Sequence, residues 1–486
     1  MGIRAHPLIY EINTWPWLTA LSRRYGRPVT LGSVPPAEYD ALAGWGFDAI
    51  WLMGVWERSP ASRDLARRPM VLDEYRRALP DLKLEDVVGS AYAIHRYVVD
   101  GYLGGPDGLA QCRMELARRG MRLLLDYVPN HVAVDHPWLT THPECILHAD
   151  AAALAADPVT FFRGPRSDEV VAHGRDPYFP AWIDTAQIDV FAPAARALAL
   201  STLEELANQC DGVRCDMAML LLNRIFATTW RTYAGPTPGT EFWAEMIPAI
   251  KAIHPDFIFL AEAYWETEAE LQALGFDYTY DKGFYDLLRA GRLEEARLAL
   301  NRPAPLLERM VHFVENHDED RAVVAFGPQR SLAAATISTL TPGARLLHEG
   351  QLAGWRVKVP VQLGRRVDEA ADLLVEPFYR MLLDEASQPV YHEGVFLPLA
   401  ASGISRGHVL AFCWALEADW RLIAVNCSNQ PVDASIILPD DLRLAGLASL
   451  WEVFSNASAV LGEGSMSDAA VALRLPAFGA QIWRPR

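Results

Sequence analysis

The chain has 486 residues, of which 51% are hydrophobic and 22% charged, and a formal net charge of -17 at pH 7. That length implies two or three domains with a sizeable core. The acidic balance, without any basic run, excludes nucleic acid and anionic membrane surfaces as partners and is compatible with a neutral substrate.

Along the chain, short apolar strands that end in polar residues alternate with helices. The first strand is expected at 9–15, the second at 49–56 after a helix over 36–45, and the third at 122–131 after a helix over 106–119. The fourth spans 211–219 after a helix at 192–209, and the fifth 257–264. A weak sixth at 278–280 precedes a helix over 283–290; the seventh lies at 310–318. The eighth, 344–350, follows a helix at 331–340, and a helix over 368–385 closes the series. Near-continuous apolar strands alternating with helices imply a parallel sheet covered on both faces, and eight such units predict a (β/α)8 TIM barrel. About 80 residues separate strands three and four, too many for a plain loop, so an inserted domain is expected there. It includes the Pro- and aromatic-rich D-P-Y-F-P-A-W-I-D-T-A-Q, which reads as irregular structure. After about residue 388 the pattern turns to period two, which predicts a C-terminal all-β sandwich. The expected division is thus a barrel over 1–131 and 196–387, an inserted domain over 132–195, and a β-sandwich over 388–486.

Carboxylates fall at the expected strand ends: Asp126, Asp216, Glu262 and Asp318, with His131 and His317 close by. In a barrel such ends converge on one rim, which points to a catalytic cluster rather than to scattered ion pairs. Arg214 and Asp216 are two apart, so on a strand they share a face, and the guanidinium favours the ionised carboxylate. Clustered carboxylates leave three chemistries open. They are a divalent-metal site, disfavoured by the lack of H-E-x-x-H; Mg²⁺-assisted proton abstraction; and glycoside cleavage by a nucleophile and an acid.

The stretches D-Y-V-P-N-H (126–131), D-G-V-R-C-D-M-A-M (211–219), F-L-A-E-A-Y (259–264) and F-V-E-N-H-D-E (313–319) resemble, in order, the four sequence regions of the α-amylase family, glycoside hydrolase family 13. G-S-A-Y-A-I (89–94) and L-L-H-E-G-Q (346–351) resemble two further family segments. The resemblance implies Asp216 as nucleophile, Glu262 as general acid and base, and Asp318 as the carboxylate that holds and helps distort the sugar. It implies that Arg214 positions Asp216, that Asp126 supports Arg214, that His131 and His317 contact the same sugar, and that Tyr92 stacks on it. Trp265, three residues past Glu262, is a candidate stacking residue. Asn130 matches a position that helps bind structural calcium in many relatives; a lone Asn is not a calcium site, and no cofactor is expected. The implied activity is retaining cleavage of α-glucosidic bonds in an α-glucan or oligosaccharide substrate. The alternatives are a transglycosylase with the same triad and a non-catalytic binding relative.

The chain also departs from the family. Arg96-Tyr97 stands where many relatives have Asp-Tyr, Gly89 where exo-acting glucosidases often have Asp, and Leu352 where G-Q-E is common. Met217-Ala218-Met219 replaces a polar pair and suggests a different acceptor side, while the charged insertion 58–88 has no assignment. The G-x-S-x-G match at 403–407 reads as a hairpin turn, since the motif needs a strand–turn–helix. The glycosylation patterns at Asn426 and Asn456 carry no weight without a secretion signal, and Trp56, Phe162 and Trp182 each read first as packing. Six cysteines without a C-x-x-C pair read as reduced thiols. The start M-G-I-R-A-H-P-L-I-Y lacks the apolar core of a signal peptide, and no membrane span is expected, so the expected location is cytoplasmic.

Overall fold

A computed structural model of the protein describes residues 3–166, 168–403, 406–438, 450–455, 457–459 and 470–485. Eight parallel strands form a closed barrel: β1 (Leu8–Asn13), β2 (Ala49–Met53), β3 (Arg122–Tyr127), β4 (Gly212–Cys215), β5 (Ile258–Ala261), β6 (Tyr278–Tyr280), β7 (Met310–His312) and β8 (Ala344–His348). Each neighbours the strands that precede and follow it in the chain, with β8 closing on β1. Strands such as A-I-W-L-M and I-F-L-A are buried along their whole length, as expected where both faces of a sheet are covered. Gly212 opens β4 because a Cβ there would lie 2.6 Å from Ile258 of β5.

The strands are shorter than the apolar runs. The run 122–131 leaves the sheet after Tyr127: the Val128 N–H donates to the Tyr97 hydroxyl at 2.8 Å, and Pro129 has no N–H to give. The closing helix begins at Val375 rather than at 368; just before it the Asp372 carboxylate accepts the Leu374 and Val375 N–H groups and turns the chain.

By packing, the chain divides into two compact units. The first contains Tyr10–Tyr280 together with Val357–Asp368. In it the charged insertion is folded: helices Pro60–Ala66 and Pro69–Ala78 bury Ala66, Leu72, Tyr75 and Leu79 against Val87 and Leu363. Between β3 and β4, His131–Ala133 pairs antiparallel with Thr185–Gln187, and His148–Ala149, Phe161–Arg163 and Val170–Ala172 form a small sheet. The Pro- and aromatic-rich stretch is thus irregular only until Asp184; its last three residues are strand.

The second unit contains Asp281–Arg356 and Glu369–Arg486 with a short N-terminal piece. Its C-terminal part holds a six-stranded sheet, in the order Val395–Leu399, Val409–Leu416, Asp419–Asn426, Ala480–Pro485, Leu450–Glu452, Ala457–Ala459. A three-stranded sheet of Ala401–Ser402, Val432–Ile437 and Ala470–Leu475 accompanies it. Alternate residues Val409, Ala411 and Cys413 of the larger sheet and Val432, Ala434 and Ile436 of the smaller share one apolar cluster, the inward half of each period-two pattern. Ser405 of the G-x-S-x-G match and Asn456 lie outside the described residues. Asn426 is fully buried and bonded to the Gln430 and Pro476 carbonyls. All six cysteines are free, and among the described residues no helix is long and apolar enough to cross a membrane.

Candidate active site

Strand register builds the site in the first unit. The β3–β4 ladder sets Asp126 level with Arg214, and the β4–β5 ladder sets Cys215 level with Ala261. Asp216 and Glu262 are each the next residue, so they leave adjacent strands at the same height. Asp216 is 6% exposed, Glu262 3% and Arg214 1%.

One guanidinium serves both carboxylates. Arg214 Nη1 donates to Asp216 Oδ1 at 2.7 Å, and Nη2 lies 2.9 Å from Glu262 Oε2. The expected pairing of Arg214 with Asp216 is present, and the contact with Glu262 adds to it. Asp126 is a more distant neighbour at 3.9 Å; its Oδ2 accepts the Gly54 N–H at 3.0 Å. The Arg214 cation sits over the rings of Trp51, Tyr92 and Tyr280 at 5.3–5.8 Å. Burial opposes its charge, but Glu262, Tyr92, Tyr280 and Asp216 around it hold it protonated well above the ordinary arginine range.

Glu262 is fixed by groups on both sides. Its Oε2 accepts the Met217 N–H at 2.6 Å, and its Oε1 the Tyr264 hydroxyl at 2.7 Å. Met217 reaches this bond from a left-handed backbone (φ 45°), unusual for a side chain of its size and strained. Of the apolar run after Asp216, only Met217 is partly exposed; Ala218 and Met219 are buried, and the Ala218 carbonyl accepts from Trp243 Nε1. The sequence pointed to neither the Met217 N–H nor Tyr264, although Tyr264 sits inside the fifth-strand motif.

The Tyr92 hydroxyl lies 3.5 Å from Asp126 Oδ1. His131 is buried, with Nε2 3.2 Å from the Tyr92 carbonyl and Nδ1 3.3 Å from the Asn130 amide. A carbonyl accepts and an amide nitrogen donates, so this ring is neutral with its proton on Nε2. Burial pushes its pKa down to about 4, against the opposing pull of Asp184. Trp265 is 36% exposed with φ 59°, and its ring meets Tyr178 edge-on at 4.8 Å. Trp56 is buried and donates to the Asp126 carbonyl, so it supports the site from beneath.

The Asn130 position does not fit a calcium ion, which takes six to eight oxygen ligands. Its Oδ1 faces Gln187 Nε2 at 3.0 Å, and among the described residues no cluster of three His, Cys, Asp or Glu could hold a metal.

The second unit carries the fourth motif. Asp318 is exposed, its Oδ2 is 2.9 Å from Nε2 of the buried His317, and its N–H and that of Glu319 donate to Asn316 Oδ1. Glu315 of the same motif is buried, binds Arg321 Nη1 and the Ala322 N–H at 2.7 Å each, and lies 3.3 Å from His348. Burial would raise this carboxyl; Arg321 and His348 outweigh it and keep it below the usual range. The bracing role of Glu315 and Arg321 is not legible in the motif, where Glu315, like Asp211 and Glu319, carries no assigned part.

No family model matches the chain. The α-amylase MalA of Haloarcula japonica is 28% identical over 333 residues, 65% of this chain and 44% of that protein. The α-1,4-glucan:maltose-1-phosphate maltosyltransferase 2 of Streptomyces coelicolor is 26% identical over 248 residues, 49% of this chain and 30% of that one. The chain thus matches less than half the length of these curated relatives. Among solved structures, an α-amylase from Lactobacillus plantarum aligns over 99% of both chains with a TM-score of 0.69 at 18% identity. The debranching enzyme of Nostoc punctiforme aligns over 100% of both with a TM-score of 0.67 at 16% identity. At such identities these structures establish the fold.

Proposed function

We propose that this chain, which belongs to the α-amylase family of glycoside hydrolases, cleaves α-glucosidic bonds of α-glucans or malto-oligosaccharides with retention of configuration. The observation that carries this reading is the single Arg214 guanidinium bridging Asp216 and Glu262 at the ends of adjacent barrel strands. Retention needs two carboxyls about 5–5.5 Å apart, and a shared guanidinium supports that spacing. In this reading Asp216 attacks the anomeric carbon and forms a glycosyl ester. Glu262 protonates the departing oxygen and then takes the proton from the incoming hydroxyl. Asp318 is assigned to the sugar hydroxyls by the order of the motifs, with His317 beside it. Tyr92 stacks on the sugar, and His131 holds the Tyr92 carbonyl. We assign 132–195 as an inserted domain and 388–486 as the C-terminal sandwich, and we take the free cysteines to support a cytoplasmic enzyme.

Transfer to a sugar acceptor is the second reading. The similarity to proteins named maltosyltransferases favours it. Maltoheptaose with and without maltose or maltose 1-phosphate, followed by product analysis, separates the two: elongated products mean transfer, and shortened ones alone mean hydrolysis. Asp216→Asn should lower turnover on the order of a thousandfold or more. Equal inactivity of wild type and variant on a broad panel of α-glucosides would instead mark a binding protein.

A further inference from the structure

The insertion 58–88 frames a cavity of about 410 Å³ in the first unit, within the roughly 300–1,000 Å³ range of small-molecule sites. Its lining includes Trp15, Arg58, Arg63, Arg67, Tyr102 and Arg365. Arg365 is neutralised: it binds Asp86 through two nitrogens at 2.7 and 2.9 Å and Asp81 through a third. The other three arginines have no carboxylate within ion-pair reach among the described residues.

Arg58 is the most telling. It is 8% exposed, yet only Nη1 is bonded, to the Gly89 and Val361 carbonyls at 2.6 Å. Its Nε and Nη2 have no acceptor. Burial pushes its pKa down to about 10, and the pull of Asp100, which lies beyond ion-pair reach, does not offset it. Of the cavity's carboxylates, Asp86 is committed to Arg365, Asp100 accepts the Tyr102 N–H, and Glu85 is on an exposed residue. The Arg58 cation lies 5.3 Å over the Trp15 ring. Tyr102 stacks on Trp15 at 4.8 Å and 7° and is 66% exposed. Cations short of anions beside an exposed aromatic face form the chemistry that recognises a sugar ring bearing an oxyanion.

We propose that this cavity binds a phosphorylated sugar, the phosphate held by Arg63 and Arg67 above the buried Arg58, and the ring laid on Tyr102. Arg58 also packs against Gly54, which reaches the candidate active site. A Cβ on Gly54 would lie 2.9 Å from Arg58 Nη2, and the Gly54 N–H is the group that holds Asp126.

The test is isothermal titration of the whole chain at low salt with glucose 1-phosphate, glucose 6-phosphate, glucose and inorganic phosphate. It reads binding without turnover, so its outcome is independent of the glycosidase reading. One of the sugar phosphates should bind in the sub-millimolar range and weaken as salt is added, and glucose should not bind. Arg58→Met should abolish binding but disturbs a buried group. The double variant Arg63→Glu with Arg67→Gln, changed at the rim, therefore carries the test and should weaken binding by about tenfold or more while keeping the wild-type melting temperature. The proposal falls if neither sugar phosphate binds, if glucose binds as well as they do, or if the double variant binds like wild type. It also falls if inorganic phosphate binds as tightly as the sugar phosphates, an adventitious ion only.

Discussion

The Tyr264 hydroxyl donates to Oε1 of Glu262 at 2.7 Å, from two residues further along the same strand exit. The other carboxyl oxygen is held by the Met217 N–H and Arg214. A donor to a carboxylate favours its charged form, whereas a general acid must be protonated to work. Tyr264→Phe removes one such donor. The basic limb of the kcat/KM profile should then move to higher pH, with a loss at the optimum of about tenfold or less. A lower rate with an unmoved limb would reduce Tyr264 to packing.

Arg214 neutralises two buried carboxylates at once, so its removal is more than the loss of one ion pair. Arg214→Met leaves Asp216 and Glu262 facing one another with no cation between them. Breaking a buried pair in this way costs about 3–5 kcal/mol, to be read as a lower urea midpoint. Adding Asp216→Asn to that variant should restore part of the midpoint and none of the activity. Independent, additive losses would contradict the shared-cation geometry.

How far the sequence could be read follows from the range of each interaction. The barrel strands and the carboxylates at their ends were legible because each lies in a run of a few residues with its own period. Tyr278–Tyr280 was found at its observed bounds. What depended on distant partners was not legible. The second contact of Arg214 arises from the β4–β5 register. The strand end at Tyr127 arises from the Tyr97 hydroxyl. The insertion 58–88 has no assignment from sequence because Leu72, Tyr75 and Leu79 are spaced among charges, and the residue that completes their core, Leu363, comes far later in the chain.

Buried histidines make the fold acid-sensitive, His6 and His131 among them with His136, His312 and His392. His6 Nδ1 accepts the Gly343 N–H at 2.8 Å, and His131 Nδ1 faces the Asn130 amide, so each must be neutral. Burial, with Arg345 adding to it at His6, pushes their pKa values down to about 3 and about 4 from 6.5. Between those values and 6.5 the unfolded chain binds protons that the folded chain does not. The full stability is therefore present above pH 6.5 and is lost as pH falls toward about 4, by a few kcal/mol in total. The urea midpoint should drop steeply over that window. His6→Asn keeps an acceptor and suits the left-handed backbone there (φ 51°), and it should flatten the slope. An unchanged slope would place the acid sensitivity elsewhere.

Asn130 and Gln187 join the end of β3 to the segment that follows it through their side-chain amides. Gln187 is fully buried, and its Nε2 donates to the Asn130 carbonyl at 2.7 Å and to the Asn130 side chain at 3.0 Å. Gln187→Ala strips the Asn130 side-chain oxygen of its donor inside the protein, while the Asn130 carbonyl keeps the Ile188 N–H, at a cost of about 1–3 kcal/mol, seen as a lower melting temperature. Because the join is made by two amides, EDTA should leave the melting temperature of the wild type where it was, and added calcium should not restore Gln187→Ala. A wild type that loses stability in EDTA and regains it with calcium would show that an ion, not the amide pair, holds this segment in place.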